Sequence, residues 1–179
     1  MVTEPICKQL VQLIEGNADR LTKAWLDDVK RRPETPTYHR HPDDLLYERV
    51  HAVYQNLGRW ICRETTADDV ARVYTALGRQ RHQEGFAPSE VLEALILTRR
   101  HLWLLVLKEG FLDTALKLQQ ALDLNARAVL FFDRAMYFTA LGFEQAQAEA
   151  SPKATAALAQ ELARPRRLAR KRHPSAPAK

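Results

Sequence analysis

The sequence is short of the residues that build sheets, disulfide scaffolds and catalytic loops. Only six glycines occur in 179 residues. No Asn-Gly or Asp-Gly pair is present, so the strongest hairpin signal is missing. Valine and isoleucine are sparse beside leucine and alanine, which favours helix over strand. The two cysteines, Cys7 and Cys62, are too few for a disulfide framework and lack metal-ligand spacing; they suit a reducing compartment. Of the three serines, Ser89, Ser151 and Ser175, none sits in a Gly-x-Ser-x-Gly elbow. No Lys-Ser or Lys-Thr follows Gly78 or Gly85, which excludes a phosphate-cradling loop there. His39 and His41 share a loop, but no cysteine stands near them or His51 to complete a zinc set. The longest apolar run, LWLLVL from Leu102 to Leu107, is far below the ~20 residues of a membrane span. The opening MVTEPICKQLVQLIEG has neither a basic leader nor a sustained apolar segment. These absences lead us to expect a cytoplasmic, non-enzymatic protein without a metal, a cofactor or a membrane span.

What is present is charge segregation and helical periodicity. Net charge is +5, yet residues 151–179 hold eight Lys/Arg against Glu161 alone. The preceding 150 residues are nearly neutral. The expectation is a helical domain over 1–150 and a basic, largely disordered tail over 151–179, where Pro165, Pro174 and Pro177 punctuate a segment with little to bury. The tail charges Arg164, Arg166, Arg167, Arg170, Lys171 and Arg172 have no interleaved aromatics. Any nucleic-acid contact they make is therefore phosphate-led and salt-sensitive, and an anionic surface or an acidic protein would attract them equally.

Along the body, apolar residues recur at helical spacing. Ile6, Leu10, Leu13 and Ile14 mark a first short helix ending at Gly16. Asn17 is placed to cap a second helix carrying Leu21, Trp25 and Val29, which Pro33 stops. PETPTYHRHP (33–42) reads as a loop. Leu46, Val50, Tyr54, Leu57 and Ile61 stripe a helix from Asp43 to about Glu64. Thr65 and Thr66 can cap the next helix, with Asp68 and Asp69 near its start; Val70, Val73, Tyr74 and Leu77 form its expected buried stripe, and it stops at Gly85. Pro88 opens a helix that is apolar almost all round, as a central or partner-covered helix is. A last helical stretch runs from about Asp113 to Ala150, with a bend expected near Asp123–Asn125. The expected fold class is all-α, a single domain of six or seven helices.

The stretch LGRQRHQEGFAPSEVLEALILTRRHLWLLV sets His82 between two glycines at the mouth of that apolar helix. It carries a Gly-x-x-Arg-x-x-x-Gly turn (Gly78, Arg81, His82, Gly85), a Ser89-Glu90 helix start and the segment from Leu97 to Trp103. On these features, and on the upstream HPDDLLYERVHAVYQNLGRW, residues 5–148 resemble the RsbT co-antagonist RsbRD N-terminal domain family. The resemblance implies a globin-like fold without haem, usually a homodimer, acting as a sensory module in signal transduction and the stressosome. Relatives commonly carry an output domain after this module. The thirty or so residues beyond it are too few for another core, so output is expected through a separate signalling protein. The same stretch is also similar to globin-coupled sensors, whose proximal histidine stands four residues before the terminating glycine. Here that place belongs to Arg81, and the one-residue offset turns His82 by about 100° around the helix. A haem-binding gas or redox sensor using His82 is the alternative reading, and a nucleic-acid-associated protein acting through the tail is another.

Two further expectations concern surfaces. Trp103, Leu107 and Phe111 on the apolar helix are candidates for a dimer or partner interface. Between the 88–109 and 43–64 helices, either a cavity for a small hydrophobic ligand or a solid aromatic core is compatible with the residues, and the solid core is favoured.

Overall fold

The computed structural model describes residues 11–61, 66–109 and 114–151. Among these, every regular element is a helix. Residues 11–16 form α1, followed by α2 (Ala18–Val29), α3 (Pro36–Arg40), α4 (Asp43–Gln55), α5 (Leu57–Ile61), α6 (Ala67–Gln83), α7 (Pro88–Lys108) and α8 (Ala115–Ala150). The compact unit that carries this fold spans Met1–Gln147; Ala148–Lys179 form a second unit, of which the last residues of α8 and Ser151 are described. The basic tail expected from Arg164 to Arg172 lies outside the described residues.

Eight described helices exceed the six or seven expected, and local chemistry accounts for the difference. The anticipated loop 33–42 holds the short α3, because Pro36 presets the backbone of a first helical turn. Thr35, fully buried, anchors it by donating from Oγ1 to Val29 O at 2.6 Å. The long helix expected from Asp43 breaks at Asn56, whose Nδ2 donates to Ala52 O at 2.8 Å. Asparagine offers the backbone such a local alternative to the helical ladder, and α5 restarts at Leu57. Asn17 does not cap α2 by its side chain. Its Nδ2 donates instead to Leu13 O at 2.8 Å, closing α1. Through Asp123–Asn125, where a bend is expected, α8 continues as one helix, with the Arg127–Asp123 pair at 2.9 Å one turn apart on it. Of the two threonines expected to cap α6, Thr66 does so, in a capping box with Asp69, while Val73 of the expected buried stripe is 42% exposed; Gly85, at φ +80°, supplies the left-handed residue that ends α6.

The core is tied together by two long-range hydrogen bonds that satisfy buried aromatic donors. Trp25 Nε1 donates to Ala94 O at 3.0 Å, joining α2 to α7. Tyr54 OH donates to Thr98 O at 3.0 Å, joining α4 to α7. A second aromatic group, Trp60, Tyr74, Phe131 and Phe132, packs edge-on among α5, α6 and α8. Where α6 crosses α8 the backbones touch through reciprocal glycines. A Cβ at Gly78 would overlap Thr139 O, and one at Gly142 would overlap Thr75 O.

Candidate functional site

The site grows from the C-terminal turn of α6. Helical geometry puts Gln80, Arg81 and Glu84 within reach of one another, and α4 brings Arg49 alongside. Arg49 forks onto Glu84, with Nη1 to Oε2 at 3.0 Å and Nη2 to Oε1 at 2.8 Å. Arg81 Nη1 donates to the same Oε2 at 2.7 Å, and Gln80 Nε2 to Oε1 at 2.9 Å. One carboxylate thus serves two guanidiniums. Arg81 is 6% exposed, and its guanidinium lies 5.7 Å over the Phe86 ring, a cation–π arrangement. Burial and the neighbouring Arg49 lower the pKa of Arg81, and Glu84 opposes them. Burial raises the pKa of Glu84, but the Arg49 hydrogen bonds and both arginine charges outweigh it and hold the carboxyl below its ordinary value.

Around this cluster the chain is closely fastened. Glu90, buried in the first turn of α7, accepts from Thr37 N at 2.7 Å through Oε1 and from Ala87 N at 2.9 Å through Oε2. It thereby ties α3 to the start of α7. Alanine at 87 offers no side-chain acceptor, so the cap is one-sided. His41 stacks on Phe86 with ring centroids 4.4 Å apart. Burial lowers its pKa, the largest influence among its neighbours.

Inside the cluster lies a cavity of about 240 Å³ bounded by α2, α3, α4, α6 and α7. Between the 43–64 and 88–109 segments the core is therefore not solid, in contrast to the packing favoured from sequence. Arg49 and Arg81, both bonded to Glu84, are among the residues that line it.

The sequence candidates fall in different places. Arg81 lines the cavity, whereas His82 is half-buried and sets its ring edge-on to Phe143 of α8 at 6.1 Å. His101, the other histidine on a long helix, approaches Asp28 Oδ2 at 2.9 Å; burial lowers its pKa and Asp28 opposes that shift. Trp103 is half-buried against the core, Leu107 is exposed and Phe111 lies outside the described residues. Among the described residues no three His, Cys, Asp or Glu side chains gather as a metal-ligand set, and no helix is long and apolar enough to cross a membrane. Sequence reasoning missed Arg49 and Glu84. The signal that could have found them was the i, i+3 spacing of Arg81 and Glu84 beside an apolar α4 carrying one arginine on its buried side.

A bundle of helices around a cavity at the α4–α6–α7 junction defines the globin-like class. The fold matches a crystal structure of the globin domain of Escherichia coli DosC in its ferrous form, with a TM-score of 0.61 and 13% identity, covering 76% of this chain and 88% of that one. The family model for the RsbT co-antagonist protein rsbRD N-terminal domain matches residues 19–158. The chain belongs to this family, which is regulatory rather than catalytic. No curated protein matches it.

The globin class raises the question of haem, and these residues do not fit one. By the spacing that the resemblance to globin-coupled sensors implies, four residues before Gly85, the iron-ligand place would fall on Arg81, which is 6% exposed. A protonated guanidinium has five donors and no lone pair to offer a metal. The nearest imidazole on the same helix, His82, is engaged with Phe143 on another helix.

Proposed function

We propose that the chain is a non-enzymatic sensory module that works as a homodimer and passes its state to a separate signalling protein. Membership of a regulatory family supports the signalling role. The observation that carries the dimer is an apolar band on the outer faces of α7 and α8. The Arg99–Asp133 ion pair, Nη1 to Oδ1 at 3.0 Å, joins these two helices at the surface. Residues three and four positions away on each helix share that surface: Ile96 and Trp103 on α7, Leu130 and Tyr137 on α8. Leu130 is 54% and Tyr137 64% exposed, and Leu107 continues the α7 stripe. Large apolar side chains exposed in one contiguous patch mark an interaction surface. Trp103 and Leu107 are the residues of α7 that we assign to this interface; Phe111, the third residue expected from sequence, lies outside the described residues. Small shifts of helix packing at this face would alter partner binding, and a gap of only a few kcal/mol between two packings suffices for that.

Sedimentation of the wild type and of a Leu107→Glu, Leu130→Glu double variant tests the reading. We expect a dimer for the first and a folded monomer, with unchanged helical circular dichroism, for the second. A monomeric wild type at tens of micromolar, or a variant that still dimerises, would overturn it.

A further inference from the structure

We infer that the cavity beneath Arg81 is a binding site for a compact amphipathic monoanion, a carboxylate on an apolar body of roughly ten non-hydrogen atoms. The argument begins with its polar inventory. Arg49, Gln80 and Arg81 line it, and no carboxylate does. Glu84, which does not line it, accepts from Arg49 Nη1 and Nη2 and from Arg81 Nη1, and Glu90 is committed to two backbone N–H groups. Arg81 uses one of its five donors on Glu84, which leaves donors over for a second anion. Two tyrosines, Tyr38 and Tyr74, also line the cavity. Each residue is 4% exposed, and a tyrosine hydroxyl at a cavity wall can donate to an anion. The site thus offers guanidinium, amide and hydroxyl donors beside the one amide acceptor of Gln80, and two of the groups are cationic.

The rest of the wall sets the ligand's body. Trp25, Val50, Leu95 and their neighbours are apolar and rigidly held, which excludes a polyanion such as a nucleotide or a sugar phosphate. Size follows by comparison. An engineered apolar cavity of about 150 Å³ in another protein takes benzene. On that scale 240 Å³ takes roughly ten non-hydrogen atoms, the size of a medium-chain alkanoate. Arg49 and Glu84, each about a quarter exposed, stand at the rim, so the carboxylate would meet Arg81 while the tail lies toward Leu95 and Trp25. That occupancy signals anything rests on the sensory reading above. The binding itself does not.

Calorimetric titration with sodium octanoate, with 1-octanol and octylamine as controls, decides the matter. We expect one octanoate per chain, with the alcohol and the amine weaker by about ten- to a hundredfold, the worth of a hydrogen bond to a charged group. Arg81→Met should remove that preference. Ala94→Leu, which fills the cavity from α7 while leaving Arg81 in place, should abolish binding of the acid and the alcohol alike. No heat and no thermal stabilisation with millimolar octanoate would overturn the proposal. So would equal affinity for octanol, or unchanged binding in Ala94→Leu. A monomeric protein that binds octanoate would refute the dimer reading and leave this site standing.

Discussion

Alanine at Gly142 should lower stability by about 3 kcal/mol, the upper range for forcing atoms into a packed interior. The expected cost is high because of what the new methyl meets. At most crowded positions a flexible side chain can swing aside, but here the added Cβ overlaps the backbone carbonyl of Thr75. Relief requires α6 and α8 to separate along their whole crossing. Gly78 faces Thr139 O in the same way, so Gly78→Ala should cost a similar amount. The two share one crossing and one relaxation, so the double variant should lose less than the sum. In a chain of this length, 3 kcal/mol corresponds to a fall in Tm of roughly 6–12 °C. Gly16 provides the control: nothing lies within 4 Å of its added Cβ and its φ is not positive. Gly16→Ala should be neutral or slightly stabilising, because alanine restricts the unfolded chain. Urea denaturation of the three single variants reads all of this directly. A Gly142→Ala protein as stable as wild type would mean that the helices do not cross in backbone contact.

Glu84→Gln should be the most damaging polar substitution in the described chain, at about 3–5 kcal/mol. The change is nearly isosteric, so packing is not its cause. It removes the one carboxylate that neutralises Arg49 and Arg81, and leaves two guanidiniums facing each other, one of them 6% exposed. Arg81→Met should cost less, because Glu84 keeps the bidentate pair with Arg49 and the buried charge itself is gone. Combining the two should give back part of the loss, so that Glu84→Gln, Arg81→Met is more stable than Glu84→Gln alone. Additive losses in the double variant would show that the charge of Arg81 is not what makes Glu84 necessary.

Much of the architecture was legible because it rests on local rules. The Leu21–Trp25–Val29 stripe, the Thr66 cap and the Gly85 stop each involve neighbours in sequence, and each appears in the structure. The errors arose where a choice between local options depends on distant contacts. Pro36 can close a loop or open a helix, and the bond from buried Thr35 to Val29 O decides for the helix. Asn56 can sit within a helix or break it, and the burial of Leu57 against the core favours the break. The site was half legible. Arg81, singled out by counting four residues back from Gly85, does line the cavity. That Glu84 is shared with Arg49, thirty-five residues away, depends on how α4 lies on α6, which periodicity does not encode. The cavity likewise comes from three-dimensional packing, since the same apolar residues could have closed it.

The account turns on the proposal that Arg81, four residues before Gly85, takes the place that the resemblance to globin-coupled sensors gives to the iron ligand. Adding haemin to the purified protein, beside His82→Ala, and recording the visible spectrum tests it most directly. We expect both proteins to leave the spectrum of free haemin unchanged, with no sharpened Soret band at equimolar protein. A strong Soret band in the wild type that is lost in His82→Ala would contradict the account and make the chain a haem sensor.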